Sequence, residues 1–499
     1  MQFSIVEYFG ENVSNHCGYC KTTARDKYTH GMWAHRLTVQ DYQDLIDRGW
    51  RRSGQYCYKP TLHLTCCPQY TIRCDALQYR PTKSQKRVAK RVKHFLVTGD
   101  KPRCTGGGDS RATRGHASDT QTNEREPAEV ELEAANSAHK QHRQTHATDA
   151  YSHSAQPQEN TSVVTGDAEC ESQALAKCRP TKAKHKRIQR ALERWQRKGL
   201  DPEVENKRRR AKNHVKSLEE WLKLPEDKQP KHRLELRLVL VNGDEFVRTF
   251  AESHHVYYCY QRHVHEDPPE KPSQQQFRRF LCSSPFHTED NSNGEVQGFA
   301  GFGAFHVQYL LDGRIIAVGV IDILPSCVSS KYLYYDPDYA FMNLGTYSAL
   351  REIALVRSLQ SVVSTLKYYY MGFYIHDCQK MRYKGNYSPS YLLCPESYTW
   401  QPIERCRPKL DKHKYARFND DTTTVDQDGN VSVDELPASV LVLFQRQPML
   451  YGEYKTRKLD TANNRQRRET IGDEDEVLEY ATLVGRKCIA RRSLLLYRT

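Results

Sequence analysis

No apolar run in the 499-residue chain reaches the roughly 18 residues that a bilayer-spanning helix needs, so no membrane association is expected. The N-terminus, Met1-Gln-Phe-Ser-Ile-Val-Glu-Tyr, has no charged lead followed by an apolar segment, which argues against a secretory signal. No internal repeat of useful period occurs, so a repeat architecture is not expected. Apolar residues are themselves scarce. Only 38% of the chain is hydrophobic and the mean hydropathy is −0.81, so part of it is expected to stay unfolded. The 16 cysteines, without an export signal, point to reduced thiols and metal ligands rather than a disulfide framework. A cytoplasmic and nuclear monomer is the expectation. What the chain has in excess is positive charge: 75 Lys and Arg against 61 Asp and Glu, a formal +14. That surplus favours a polyanionic partner, because phosphates release counterions when neutralised.

Composition divides the chain into four regions. Residues 1–101 are rich in cysteine and aromatics and read as a folded domain. Residues 102–178 contain Gly106-Gly107-Gly108 and hardly any aromatic side chain, so they cannot bury enough surface to offset ordering and are expected to be disordered. Residues 179–230 carry Lys184, Lys186, Arg187, Arg190, Arg194 and Arg197, then Lys207-Arg208-Arg209-Arg210. This basic helical segment reads as a phosphate-contacting arm or import patch, with a solvated linker helix as the alternative. Residues 231–499 are globular again, interrupted by a polar insertion at 411–437.

Within that last region, Leu234–Val241 alternates like a half-buried strand, and Asn242-Gly243 predicts a hairpin turn after it. Asp312-Gly313-Arg314 predicts a second hairpin between two β-prone arms. The second arm is apolar on nearly every residue, as in a strand covered on both faces, yet Asp322 interrupts it. A carboxylate there must be paired or protonated, so it marks a special position. A helical period follows from Gly345 to Leu366, then the strand-like Tyr368-Tyr369-Tyr370-Met371-Gly372-Phe373-Tyr374-Ile375-His376. Strand, hairpin, loop, helix, strand is the order of the central half of a GNAT-like acyltransferase sheet. The expected class is therefore α/β (α+β), with a cysteine-rich metal-binding N-terminal domain.

Three constellations could carry chemistry. Cys17-Gly18-Tyr19-Cys20 brings two thiols within reach of one metal, and Cys66-Cys67-Pro68 supplies two more if the chain turns there. Spacing leaves zinc and an iron–sulfur cluster open, with His16, Cys57 and Cys74 as spare ligands. In Ser253–Asp267, His263 and His265 would share a strand face or a tight loop, as a metal site or, preferentially, a substrate-contacting edge. Thr424–Glu435 resembles a calcium loop but starts with Thr424 where an aspartate is needed, so it reads as a polar surface loop.

Taken together, Cys17-Gly-Tyr-Cys20, Leu45-Ile-Asp-Arg-Gly-Trp-Arg-Arg-Ser-Gly54, Cys66-Cys67-Pro-Gln-Tyr-Thr-Ile-Arg73, Tyr260-Gln261, Asp322-Ile-Leu-Pro325, Val328-Ser-Ser330, Tyr369-Tyr-Met-Gly372 and Tyr383-Lys-Gly385 resemble the eukaryotic arginyl-tRNA–protein transferase (arginyltransferase) family. The resemblance covers roughly three-fifths of the chain, and such long spaced motifs are far more specific than a lone Cys-x-x-Cys. It implies transfer of arginine from arginyl-tRNA, the co-substrate, to proteins whose N-terminal residue is Asp, Glu or oxidised Cys, which then enter the N-degron route to ubiquitin-dependent degradation. It also implies a GNAT-like fold, no nucleotide cofactor, and an iron–sulfur cluster or Zn2+ on Cys17, Cys20, Cys66 and Cys67, without Cys57. Aminolysis of an activated ester needs a proton acceptor, oxyanion donors and strict positioning. His306, Asp322 and His376 are the acid–base or orienting candidates. Substrate contact is expected from Tyr260, Gln261, Ser329, Ser330, Tyr368 and Tyr370. Lys380, Arg382 and Lys384 are expected to recognise the acidic side chain. Two rivals remain. An ordinary N-acetyltransferase usually carries a glycine-rich pyrophosphate loop before a helix, and none is found here. A non-enzymatic tRNA-binding metalloprotein would bind tRNA without transferring arginine.

Overall fold

A computed structural model describes residues 3–14, 16–22, 26–101, 183–201, 203–205, 216–226, 229–286, 299–461 and 464–498. The segment 102–178 expected to be disordered and the basic run Lys207–Arg210 lie outside the described residues. The chain divides into two units, Met1–Lys140 with Leu218–Thr499, and Gln141–Ser217. In the second, the expected basic helix spans Ala183–Arg197 and exposes Arg190, Arg194 and Arg197.

The larger unit is built on two sheets. Strands β1 (Ser4–Ser14), β2 (Lys27–Arg36), β3 (Arg51–Ser53) and β4 (Tyr56–Pro60) begin the first sheet. Then come β5 (Tyr70–Asp75), β6 (Leu234–Leu240), β7 (Gly303–Leu311), β8 (Arg314–Ile323), β9 (Cys327–Tyr335), β10 (Tyr368–Tyr374), β11 (Ser390–Leu393) and β12 (Trp400–Pro402). The C-terminal strands are β13 (Leu441–Phe444), β14 (Gln447–Leu450) and β15 (Leu494–Arg498). The first sheet runs β14-β13-β15-β1-β2-β4-β3 and so joins both ends of the chain; the second runs β12-β11-β5-β10-β9-β8-β7-β6. A break at residue 101 therefore does not separate the sheets. β5, from the N-terminal block, sits between β10 and β11, and β13–β15 return to the N-terminal sheet.

The Asp312-Gly313 hairpin forms as the sequence predicts. Both residues have positive φ, 51° and 88°, the turn whose twist matches its flanking strands. Asn242-Gly243 does not make a hairpin. Gly243 precedes helix Asp244–Val264, whose first turn carries Asp244 and Glu245 beside the positive end of the helix dipole. Phe246, Phe250, Ser253, Tyr257 and Tyr260 then recur at helical spacing and are buried. His263 thus lies on a helix and His265 at its C-terminal cap, rather than on a strand face or loop. The 411–437 insertion packs down on the body: Phe418 is buried against Tyr70, and Arg48 ion-pairs with Asp426 (2.7 Å) and Asp428 (3.1 Å). Two carboxylates of the calcium-like loop are thereby committed to an arginine. Among the described residues no helix is long and apolar enough to cross a membrane.

One apolar core lies against the second sheet and helix Leu344–Gln360; another lies under the first sheet and takes in Leu324, Cys327 and Tyr370. A buried bidentate pair bridges the sheets: Arg52 of β3 donates from Nε (2.9 Å) and a terminal nitrogen (2.5 Å) to the two oxygens of Asp322 on β8. Both side chains are fully enclosed.

Candidate functional site

β9 and β10 are parallel neighbours that pair only where Cys327–Ser329 meets Tyr368–Tyr370. Past that point β9 pairs with β8, while β10 bulges and continues along β5. Where the strands part, a recess opens, lined by Tyr260, His265, Ser330, Lys331, Tyr332, Tyr369, Met371, Tyr383, Lys384 and Tyr387. Helix Asp244–Val264 supplies one wall. Tyr260 packs edge-on to Tyr335 (centroids 4.9 Å), and Gln261 donates its amide to the Tyr332 hydroxyl at 2.8 Å. That hydroxyl also shares a hydrogen bond with His265 Nε2 at 3.2 Å. Burial pushes the His265 pKa down to about 4, so its ring is neutral near pH 7. The lining combines aromatic faces, hydroxyls and two lysines, a mixture suited to a polar ligand with a stackable ring.

Of the sequence candidates, Tyr260, His265, Ser330 and Lys384 meet at this recess. Gln261 braces its wall. Tyr368 and Tyr370 do not reach it, because side chains alternate along a strand and Tyr369 takes the inward place. Tyr368 instead stacks under the Arg73 guanidinium (3.8 Å), and Tyr370 donates its hydroxyl to Asp47. Ser329 is buried on the other face from Ser330. Arg382 stands 3.8 Å from Asp411, and Lys380 occupies the same short helix, Gln379–Arg382.

The three acid–base candidates do not converge. His306 is fully enclosed beside Phe246, its Nε2 hydrogen-bonded to the Leu281 carbonyl at 3.2 Å, and burial lowers its pKa to about 4. Asp322 is held by Arg52. His376 lies at the end of β10, with Nδ1 on the Tyr374 hydroxyl and Nε2 on Asp411, both at 2.8 Å. It lines a different recess, shared with Cys20, Cys66, Cys67 and Cys378.

That second recess adjoins the thiol cluster. The sulfurs of Cys17, Cys20, Cys66 and Cys67 all lie within 4.8 Å of one another. The Cys17–Cys20 loop is closed by Lys21 N–H on the Cys17 carbonyl (2.9 Å), and the chain bends through Thr65–Cys67, so both adjacent cysteines can face inward. A hydrogen bond from Cys67 and backbone N–H groups of Cys20 and Tyr19 drive the Cys17 thiol down to about 4, against its burial. Burial raises Cys66, and the bond to Cys17 raises Cys67. Cys57 and Cys74 stay outside the cluster, buried in the cores with pKa values pushed up to about 12 by burial.

The recess residues passed over in the sequence are Lys331, Tyr332, Tyr369, Tyr383 and Tyr387. Lys331 and Tyr332 directly follow the Val328–Ser330 motif, which was the signal available.

Comparison with known proteins gives concordant matches. Residues 15–87 match the model for "Arginine-tRNA-protein transferase, N terminus", and residues 252–394 match that for "Arginine-tRNA-protein transferase, C terminus". The chain is 42% identical to arginyl-tRNA–protein transferase 1 of Drosophila melanogaster, over 99% of each chain. It is 37% identical to arginyl-tRNA–protein transferase 2 of Arabidopsis thaliana, over 83% of this chain and 77% of that protein. A shorter match, 35% identical over 20% of this chain and 38% of the relative, is to an aspartate/glutamate leucyltransferase of Campylobacter jejuni.

Proposed function

We propose, from the premise that this chain belongs to the arginyl-tRNA–protein transferase family, that the recess between β9 and β10 is where arginine passes from tRNA to a protein α-amine. The chain is a transferase moving arginine from tRNA to protein. The finer reading is that the acceptor begins with Asp, Glu or oxidised Cys and is thereby routed to degradation. The observation that carries it is the parting of two parallel strands over Tyr260, Ser330, Tyr369, Lys331 and Lys384. The gap also supports a GNAT-like ancestry for the second sheet, with tRNA in place of a nucleotide thioester.

The ester is already activated, so the protein has to align amine and carbonyl and move a proton. The half-buried ring of Tyr383 in the lining supports stacking of a terminal base, at about 1–3 kcal/mol per stacked base. Ammonium groups at Lys331 and Lys384 favour an acceptor carboxylate through charge-assisted hydrogen bonds. The relative named as an aspartate/glutamate leucyltransferase points the same way.

The four thiols fit a metal. Tetrahedral thiolates around one zinc ion stand about 3.8 Å apart, from a Zn–S bond of about 2.3 Å. That all four sulfurs of Cys17, Cys20, Cys66 and Cys67 lie within 4.8 Å of one another supports a single ion over a cluster, whose different irons would hold the thiolates farther apart. Such a closed site supplies rigidity, tying the Cys17–Cys20 loop to the bend that precedes β5.

The test uses arginyl-tRNA and peptides differing only at residue one. Label should pass to Asp and Glu peptides and not to Ala. Equal labelling of all three would discard the acidic preference, and no labelling would discard the transfer site. Transfer-RNA binding should also weaken steeply between 50 and 200 mM salt, by orders of magnitude if roughly six phosphates are contacted. A flat response removes the basic segment from the interaction.

A further inference from the structure

Glu352 lies on the buried stripe of helix Leu344–Gln360 with Ala349, Ile353 and Val356, at helical spacing. A carboxylate in such a stripe is unusual and needs partners. It receives the Tyr369 hydroxyl at 2.7 Å and a hydrogen bond from Ser330, and both residues line the recess. Among the described residues no lysine or arginine pairs with it; neighbouring Arg351 turns away to the Tyr347 hydroxyl. From β7, Tyr309 faces it with an unpartnered buried hydroxyl, and Tyr387 lies nearby. On β8, Gly319 leaves the space: a Cβ there would stand 2.8 Å from a Glu352 oxygen. Enclosure raises the carboxyl from 4.5 to about 7, partly opposed by those two hydrogen bonds.

We propose that Glu352 is the proton reservoir of the recess, a positioning residue that acts through the hydroxyls of Tyr369 and Ser330 on the attacking amine. The inference rests on the transfer reaction assigned to this recess. A neutral acceptor amine attacks the ester carbonyl; the C–N bond forms and the C–O bond to the ribose breaks. The proton leaving the amine passes to the Tyr369 or Ser330 hydroxyl, which hands its own to Glu352. The reverse route returns one proton to the departing ribose oxygen, so charge and protons balance. A partner with a pKa near the working pH is the best placed for both steps.

The test is single-turnover arginine transfer to an Asp-initiated peptide from pH 6 to 9, for the full chain, Glu352→Gln and Glu352→Asp. The buried carboxyl makes the wild type lose stability as pH rises from about 4.5 towards 7, because the unfolded chain gives up its proton first. Glutamine has no such loss, so E352Q should be at least as stable as wild type at pH 8. Its kcat should fall about 100-fold at pH 7.5 with peptide KM unchanged. The limb near pH 7 should vanish, leaving the limb of the amine itself near 8, and E352D should restore part of it. An E352Q that keeps the wild-type rate and limb overturns this inference alone. A wild type that binds tRNA but transfers nothing overturns the parent reading with it.

Discussion

Replacing Asp322 by alanine should destabilise the protein by about 3–5 kcal/mol, because it strands a buried guanidinium without its counter-charge. The Arg52 side chain is fully enclosed, gripping Asp322 through two nitrogens and donating also to the carbonyls of Gly54 (2.8 Å) and Ser283 (3.3 Å). Its guanidinium sits 4.8 Å over the Phe286 ring, so it cannot swing to water without unpacking the seam. Against a typical total of about 5–15 kcal/mol, that loss is a large share of the fold's stability. Denaturant unfolding of Asp322→Ala measures it. A paired Arg52→Met/Asp322→Leu variant should recover most of the loss, since an apolar replacement of both partners is often neutral or better. Should Asp322→Ala keep its unfolding midpoint yet lose transfer activity, the residue would be chemical after all. The pair links β3 to β8, so the expected failure is loosening of the joint between the sheets.

The second large effect concerns the thiols. Cys67→Ser should reduce bound metal from one ion per chain to almost none after dialysis, measured by elemental analysis. Structural zinc contributes about 10–16 kcal/mol of apparent binding in small metal-dependent folds, although here two cores share the load. The thermal midpoint should therefore fall by several degrees, with each kcal/mol worth about 2–4 °C in a domain of 150–250 residues. Cys57→Ala is the control: its thiol is buried in the core and outside the cluster, so metal content should not change. Equal metal loss in both variants would remove the assignment of ligands. Retained metal in Cys67→Ser would remove Cys67.

Much of this molecule could be read along the chain wherever the cause is local. The Asp312-Gly313 turn needs positive φ at both residues, and those two residue types tolerate it. The Cys17-x-x-Cys20 spacing carries its own reach, and the bend at Cys66-Cys67 follows from the demand that both thiols face one point. Asn242-Gly243 shows the limit of such reading: the same pair serves a hairpin or a helix start, and the acidic residues and apolar period after it decided for the helix.

The recess was only partly legible. Tyr260, His265, Ser330 and Lys384 reach it, yet the choice of Tyr368 and Tyr370 over Tyr369 turned on which face of β10 looks inward, and period two alone does not say. Glu352 leaves a signal in the sequence, a carboxylate within an apolar helical stripe. His306 and Asp322 are enclosed within the sheet body and His376 lines another recess, so none of the three reaches this one.

The sequence by itself determined the hairpin, the thiol set, the basic excess and the family, because each depends on residues close in the chain or on a string of motifs. Only the tertiary structure decided that β5 enters the second sheet, that the C-terminal strands close the first, and that Asp322 belongs to an arginine 270 positions away. Strand order and ion-pair partners are settled by which surfaces can be buried together, and no local pattern records that choice.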